Sequence, residues 1–449
     1  MKMQDRRSNT TRREFLRGTA SGVAAFTIVP GFVLGRDGRQ TPSNKLNLAF
    51  VGAGGRARAN LGGTKTENIV ALCDVDEKRA AESYKKMPKV KKFRDFRKML
   101  DEMEKDIDAV VVSTPDHTHA VALMRAIKMG KHVYSEKPLA HSLAEVRALR
   151  KAAQEHKVAT QLGNQGHSFD SIRLFCEWIW DGAIGKVRRV HCLCNTSWGR
   201  YEKLPKVKER HPVPKSLDWD LWLGPAQFRP YNPAYCPGSW RGWTPFGTGA
   251  LGDWTCHIID PVFWALKLGA PKTIRAQVFE YNPKTQADTF AKAPIIHFEF
   301  PARGDLPPVL LSWYGGGKKP PWPRGLEKGR KLPGMGALVF GERAGIMYGS
   351  HGAGDCRIFP ERAMKAYPLP EKSIPRSPGH HQEWLRACKG GEPAGSNFEY
   401  GGPLTEIALL GVIAQKFNDR KLEWDGEKFT NCPEANSYLN PPYRDGWTL

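Results

Sequence analysis

From position 46 onward the chain alternates between short apolar runs and longer stretches whose apolar residues recur every three to four positions. LNLAFV, NIVALC, IDAVVVSTP, KHVYSEKP and VATQLG read as buried strands; Phe93 to Met103, His119 to Met129 and LAEVRALRKAAQEH read as amphipathic helices. Strands separated by single helices imply a parallel, doubly wound α/β sheet. From Lys186 the pattern changes to strand-like alternation in KVRRVHCLCN, TIRAQVFEYN, APIIHFEFP and PVLLSWYGG, with no internal repeat.

The first strand runs into Gly52-Ala53-Gly54-Gly55-Arg56-Ala57, a G-x-G-x-x-A turn. Gly52 suits the tight turn, Gly54 lets backbone approach a pyrophosphate, and small Ala57 lets the following helix pack on the strand with its N-terminus toward the phosphates. Gly55 and Arg56 lie in the same turn. About twenty residues on, the second strand ends at Asp74, where a carboxylate binds ribose hydroxyls and repels a 2′-phosphate. NAD is therefore expected over NADP, a preference that Lys78 and Arg79 would soften. The competing role for Asp74 is to cap the helix DEKRAAES. Ligands of such sheets lie beyond the strand C-termini. This places Thr114, Pro115, His117 and His119 of STPDHTH, Glu136 and Lys137 of SEKP, and Asn164 of GNQGH around the cofactor. Gln165 and His167 are assigned to sugar hydroxyls, with loop capping as their alternative.

At 449 residues the chain is long enough for two or three domains, and 40% apolar with 25% charged residues is ordinary for a globular protein. The net charge of +22 is not ordinary. The first 40 residues carry eight positive and three negative side chains, a balance of +5, which leaves +17 for the body. Such a balance favours anionic partners. The basic residues are spread along the chain with neither zinc-finger spacing nor a long basic helix, so nucleic acid is not expected. The nine cysteines suggest no disulfide framework, and HCLC at Cys192 and Cys194 has no second ligand pair at zinc spacing. No metal is expected.

TRREFLRG, Thr11 to Gly18, precedes a mildly apolar stretch broken by Gly18, Gly22, Pro30 and Gly31. A membrane anchor needs about 20 predominantly apolar residues. The stretch fits a twin-arginine export leader better, through Arg12 and Arg13. No other segment is long and apolar enough to cross a bilayer.

The glycine turn, STPDHTHA, SEKPLAHSLAE, DGAIGKV, WDLWLGP, GALGDWTCHIID and PLTEIALLGVIAQKF together resemble the glucose–fructose oxidoreductase and inositol dehydrogenase (Gfo/Idh/MocA) family. With the export leader placed over 1–40, the resemblance implies an NAD-binding Rossmann domain over 44–163. A C-terminal α/β domain, with an open and mostly antiparallel sheet that binds substrate and makes a homo-oligomer, would occupy 164–449. It also implies that Lys137 lies beside the nicotinamide, with Asp253 and His257 as its catalytic partners. Residues i and i+4 share a helix face, so Asp253 could hold the His257 ring or contact the same sugar. Many relatives have glycine at the position of Cys256, whose larger side chain is expected to narrow the pocket. A cis bond before Pro138 is a further implication.

Between Trp198 and Trp243 aromatic residues interleave with Arg200, Arg229 and Arg241. Indoles stack on sugar faces and arginine pairs with carboxylate. Trp198, Arg241 and Trp243 are therefore taken as substrate contacts, for a carbohydrate that is anionic if the charge has meaning. The basic stretch Gly315 to Gly336 is a candidate lid, with a solvated insertion as its alternative. Three functions remain open. The first is a sugar oxidoreductase that retains and recycles NAD, as an exported enzyme must where free NAD is absent. The second is a glycoside hydrolase or lyase using NAD transiently, and the third a non-catalytic sugar-binding protein. The expected location is periplasmic or otherwise exported.

Overall fold

In the computed structural model, which describes residues 44–449, the apolar runs of the first half form one sheet. The expected leader over 1–40, with Arg12 and Arg13, lies outside the described residues. Strands β1 (Asn47–Val51), β2 (Asn68–Cys73), β3 (Lys91–Phe93), β4 (Ala109–Val112), β5 (His132–Glu136) and β6 (Thr160–Gly163) are all parallel, in the order β3-β2-β1-β4-β5-β6. Successive side chains of a strand point to opposite faces. Ala49, Val51, Val110 and Val112 accordingly pack with Leu123 and Ile127 of the helix His119–Lys128. Leu48, Phe50, Leu72 and Val111 pack on the other face with Trp384 and Leu385. Those two residues come from the helix His380–Cys388, so the far C-terminal part of the chain returns to cover the first sheet.

Local chemistry sets where the helices begin. Asp76 accepts hydrogen bonds from the Lys78 and Arg79 N–H groups at the start of Glu77–Lys86. Ser142 and Glu145 form a reciprocal capping box for Leu143–Glu155. The expected helix from Phe93 divides: Lys91–Phe93 is the edge strand β3, and the helix Phe96–Glu102 starts after Asp95, whose carboxylate accepts from the Arg97 N–H.

The second sheet has eight strands: β7 (Arg189–Cys194), β8 (Thr273–Gln277), β9 (Ile295–Phe300), β10 (Val309–Tyr314), β11 (Met335–Phe340), β12 (Gly345–Gly349), β13 (Gly354–Phe359) and β14 (Lys421–Glu423). Their order is β13-β12-β11-β7-β10-β9-β8-β14, and only the β7–β10 pair is parallel. The sheet is thus mostly antiparallel. HCLC lies in β7, where the Cys192 and Cys194 thiols are buried in the core. The basic stretch 315–336 packs down through Leu326 onto Leu193, Leu338 and Phe359, and Arg330 pairs with Glu327 and Glu361. Its residues do not line the main cavity, so it is not placed as a lid. No helix among the described residues is long and apolar enough to cross a membrane.

Candidate active site

A cavity of ≈390 Å³ runs along the C-terminal edge of the parallel sheet, from Asp74 past the glycine turn to Lys137 and His257. At its first end the chain leaves β1 through Gly52, with φ of +88°, whose N–H donates to the Cys73 carbonyl. A Cβ at Gly52 would stand 2.7 Å from the Ser113 carbonyl oxygen, and one at Gly54 would stand 2.6 Å from that of Arg79. Bare backbone is therefore required here, and the turn leads directly into the helix Ala57–Gly63.

The Asp74 carboxylate accepts from the Ala53 and Gly54 N–H groups at 2.9 and 3.2 Å, and from the Asp76 N–H at 2.9 Å. Burial raises its pKa, and those N–H donors oppose the rise. The helix-capping role falls to Asp76, which leaves Asp74 on the cavity wall. Gly52, Gly54, Gly55, Arg56, Thr114, Pro115, Glu136 and Gln165 line the same cavity. Glu136 accepts from Arg56 Nε, Asn60 Nδ2 and Gln165 Nε2 at 3.1, 2.9 and 3.4 Å, tying the turn to the end of β5. A glycine turn, an adjacent helix start and an acidic residue closing the second strand fit a dinucleotide. NAD should bind more tightly than NADP in a titration; equal affinities would show that Arg79, also on the wall, outweighs Asp74.

At the other end Lys137 follows β5 through a cis Lys137–Pro138 bond. Its ammonium donates to Asp253 twice, to Oδ1 at 2.5 Å and to the backbone carbonyl at 2.7 Å. One of its three N–H donors remains. Arg241 Nε also donates to Asp253 Oδ1, and Trp198 Nε1 to Oδ2, each at 3.0 Å. Burial alone would raise the Asp253 pKa; the Lys137 and Arg241 charges hold it well below the usual carboxylate range. Asp253 and His257 do share a face of the helix Gly249–Ile258. Asp253, however, is fully engaged by Lys137, Arg241 and Trp198, and the ring of His257 is held differently. His257 stacks on His351 with centroids 4.1 Å apart and meets Trp254 edge-on. Its Nδ1 has no hydrogen-bond partner among the described residues. Burial, then the charge of Lys137, pushes its pKa well below the ordinary value, so the ring is neutral.

Several other residues lie away from the cavity wall. His117 is locked by the Phe246 and Trp222 carbonyls, and His119 by those of Pro138 and Thr114, so both shape the strand end from behind. Ala57 is buried under its helix. Asn164 bonds Asp260 and Ser396, while the His167 ring bonds Asp260 and stacks on Trp264; both form a buried network behind the cavity. Trp243 is fully buried and donates to the Ala234 carbonyl. Trp198 acts through its bond to Asp253. Cys256 points into the core rather than the cavity, so its thiol does not narrow the pocket. Sequence reading missed His351, Trp254, Trp240 and Arg94 on the wall. His351 sits in the β12–β13 connection, where a Cβ at Gly166 would meet the Gly352 nitrogen at 2.4 Å. No local pattern joins those segments.

Burial also depresses the pKa of His117 to about 3 and that of His380 well below its ordinary value. A histidine that stays neutral in the fold but takes a proton when unfolded costs stability as pH falls below about 6.5, roughly 1.4 kcal/mol per pH unit until the folded value is reached. His257 and His191, the latter lowered by burial to about 4, act in the same direction. Urea unfolding should therefore show a lower midpoint at pH 5 than at pH 7, and equal midpoints would contradict this account.

A family model described as the oxidoreductase family, NAD-binding Rossmann fold, matches residues 46–164. That family's C-terminal alpha/beta domain matches residues 188–300. Levoglucosan dehydrogenase of Pseudarthrobacter phenanthrenivorans is 26% identical over 189 residues, covering 42% of this chain and 40% of that one. A 2,7-anhydro-N-acetylneuraminate hydratase of Mediterraneibacter gnavus is 34% identical over 102 residues, covering 23% and 26%. The chain thus spans between a quarter and two-fifths of the length of these two relatives. The WlbA dehydrogenase from Bordetella pertussis, solved with NADH and UDP-GlcNAcA, superposes with a TM-score of 0.59 at 15% identity, over 85% of this chain and 99% of that one. This likeness is one of fold.

Proposed function

The chain belongs to the Gfo/Idh/MocA oxidoreductase family and has its NAD-binding Rossmann domain, and on that premise we propose that it oxidises or reduces an alcohol carbon of a carbohydrate. The observation that carries this reading is that Lys137 and His257 face the same cavity as the glycine turn and Asp74. NAD, when bound, accepts and returns hydride at its nicotinamide ring. The remaining Lys137 N–H binds the substrate oxygen, and its charge stabilises an alkoxide there. Asp253 holds that ammonium in place by two acceptors. A ring nitrogen of neutral His257 takes the hydroxyl proton. Lys137 and Arg241 share one carboxylate, Asp253, and this surplus positive charge favours an anionic sugar.

A second reading has one observation in its favour, the similarity to the 2,7-anhydro-N-acetylneuraminate hydratase, since a hydratase carries out no net oxidation. The same residues would then oxidise a hydroxyl transiently while a substituent is eliminated. Product analysis separates the two, since only the first leaves an oxidised sugar matched by a reduced partner.

We further propose that the protein is exported already carrying NAD, which it retains and recycles. Replacing Arg12 and Arg13 with Lys should leave NAD-loaded protein inside the cell. Cell fractionation with NAD measured in each fraction checks this, and export of the variant at the original level would overturn it.

A further inference from the structure

Behind the active site lies a second cavity of ≈280 Å³. The segment Asp116–Thr118 separates the two: Thr118 lines the first and His117 the second. The walls of the second are largely apolar, formed by Leu409, Val412 and Ile413 at the end of the helix Phe398–Ala414, with Phe290, Pro441 and Pro442 facing them. Most of its polar groups are already satisfied. Glu145 accepts from the His141 and Ser142 N–H groups and the Tyr443 hydroxyl. The neutral His117 ring lies between the Phe246 and Trp222 carbonyls and donates to one of them, and His141 Nε2 meets the carbonyl of Gly247.

Two cations are the exception. Lys416 lines this cavity, lies 4.8 Å from the centroid of the Tyr438 ring, and has no ion pair or side-chain hydrogen bond among the described residues. Arg229 lines it too. Its Nη1 reaches Asp288 at 3.3 Å, while its Nε is buried without a partner among the described residues. Asp288 is also the carboxylate whose charge is felt at Lys416. Two cations therefore share one carboxylate beside an apolar chamber. Burying an ammonium without a counter-ion is unfavourable, and here burial lowers the Lys416 pKa.

We propose that this cavity is a second binding site, for a small monocarboxylate whose apolar body fills the chamber and whose carboxylate pairs with Lys416 and Arg229. Charge and shape both follow from the walls, since the unused donors are cationic, the Glu145 carboxylate is already taken up by three donors, and most of the remaining surface is hydrocarbon. The site also has a route to the reaction centre. The Thr248 N–H and hydroxyl both donate to Asp116, at 3.1 and 2.7 Å, and Thr248 lines the cavity directly before the helix that carries Asp253 and His257.

Calorimetric titration of the full, NAD-loaded protein with hexanoate and phenylacetate, and with the neutral hexanamide and 2-phenylethanol, tests the proposal. The carboxylates should bind once per chain and at least about tenfold more tightly than their neutral counterparts, the discrimination expected of a charge-assisted contact. Lys416→Met keeps an apolar stem of similar length, and unchanged NAD content reports that it has folded. In that variant the carboxylates should weaken by at least about tenfold while the neutral probes do not. Equal binding of charged and neutral probes, an unaltered carboxylate affinity in Lys416→Met, or no binding of any probe would overturn the assignment.

Discussion

Lys137→Ala should lower turnover by at least about 10²-fold while leaving NAD content unchanged, the loss expected when a positioned acid–base or electrostatic group is removed. The pyrophosphate end of the cavity, formed by Gly52, Gly54 and Asp74, does not depend on Lys137. Asp253 would keep Arg241 and Trp198 as partners, so the variant should fold. Asp253→Asn should share part of the defect, because it removes the charge that fixes the ammonium rather than a support for the imidazole. Turnover with retained NAD, measured side by side in the two variants, checks this. Near-normal turnover in Lys137→Ala would remove the proposed chemistry.

Gly54→Val should act at the opposite end. A branched side chain there drives into the Arg79 carbonyl and pushes the turn off the helix Glu77–Lys86, breaking the Gly54 N–H bond to Asp74. Overpacking of this kind costs about 1–3 kcal/mol, so NAD affinity should fall by about fivefold to 150-fold. The close approach is to protein backbone, which makes the loss one of turn geometry as much as of contact with phosphate. A titration with NAD checks it, and unchanged affinity would show that the turn does not cradle the cofactor.

The difference between these two sites reflects what a linear pattern can carry. The glycine turn, Asp74 and the EKP segment were legible because strand spacing fixes their place in a doubly wound sheet, and local order is all they require. The Asp253–His257 pair was found by its helical spacing, yet its internal wiring was not. The partners that decide it, Lys137, Arg241, Trp198 and His351, come from four separate segments. Asn164 and His167 follow the last strand of the sheet as a ligand-binding residue would, but Asp260 draws them into a buried network. Strands β11 to β13 escaped notice because glycines at Gly336, Gly345, Gly349 and Gly354 interrupt their alternation. At Gly345 a Cβ would stand 2.1 Å from the Phe359 ring, so cross-strand packing rather than local propensity selects that residue.

If Lys137 and His257 act on a sugar alcohol from the cavity that holds NAD, hydride reaches the bound cofactor only when both face that sugar. The most direct test is the near-ultraviolet absorbance of reduced nicotinamide, followed as the NAD-loaded protein is mixed with neutral and acidic monosaccharides. At least one sugar should reduce the bound cofactor in the unaltered protein, acidic sugars most readily, and none should do so in Lys137→Ala at equal NAD content. Reduction that proceeds equally in both proteins would contradict it.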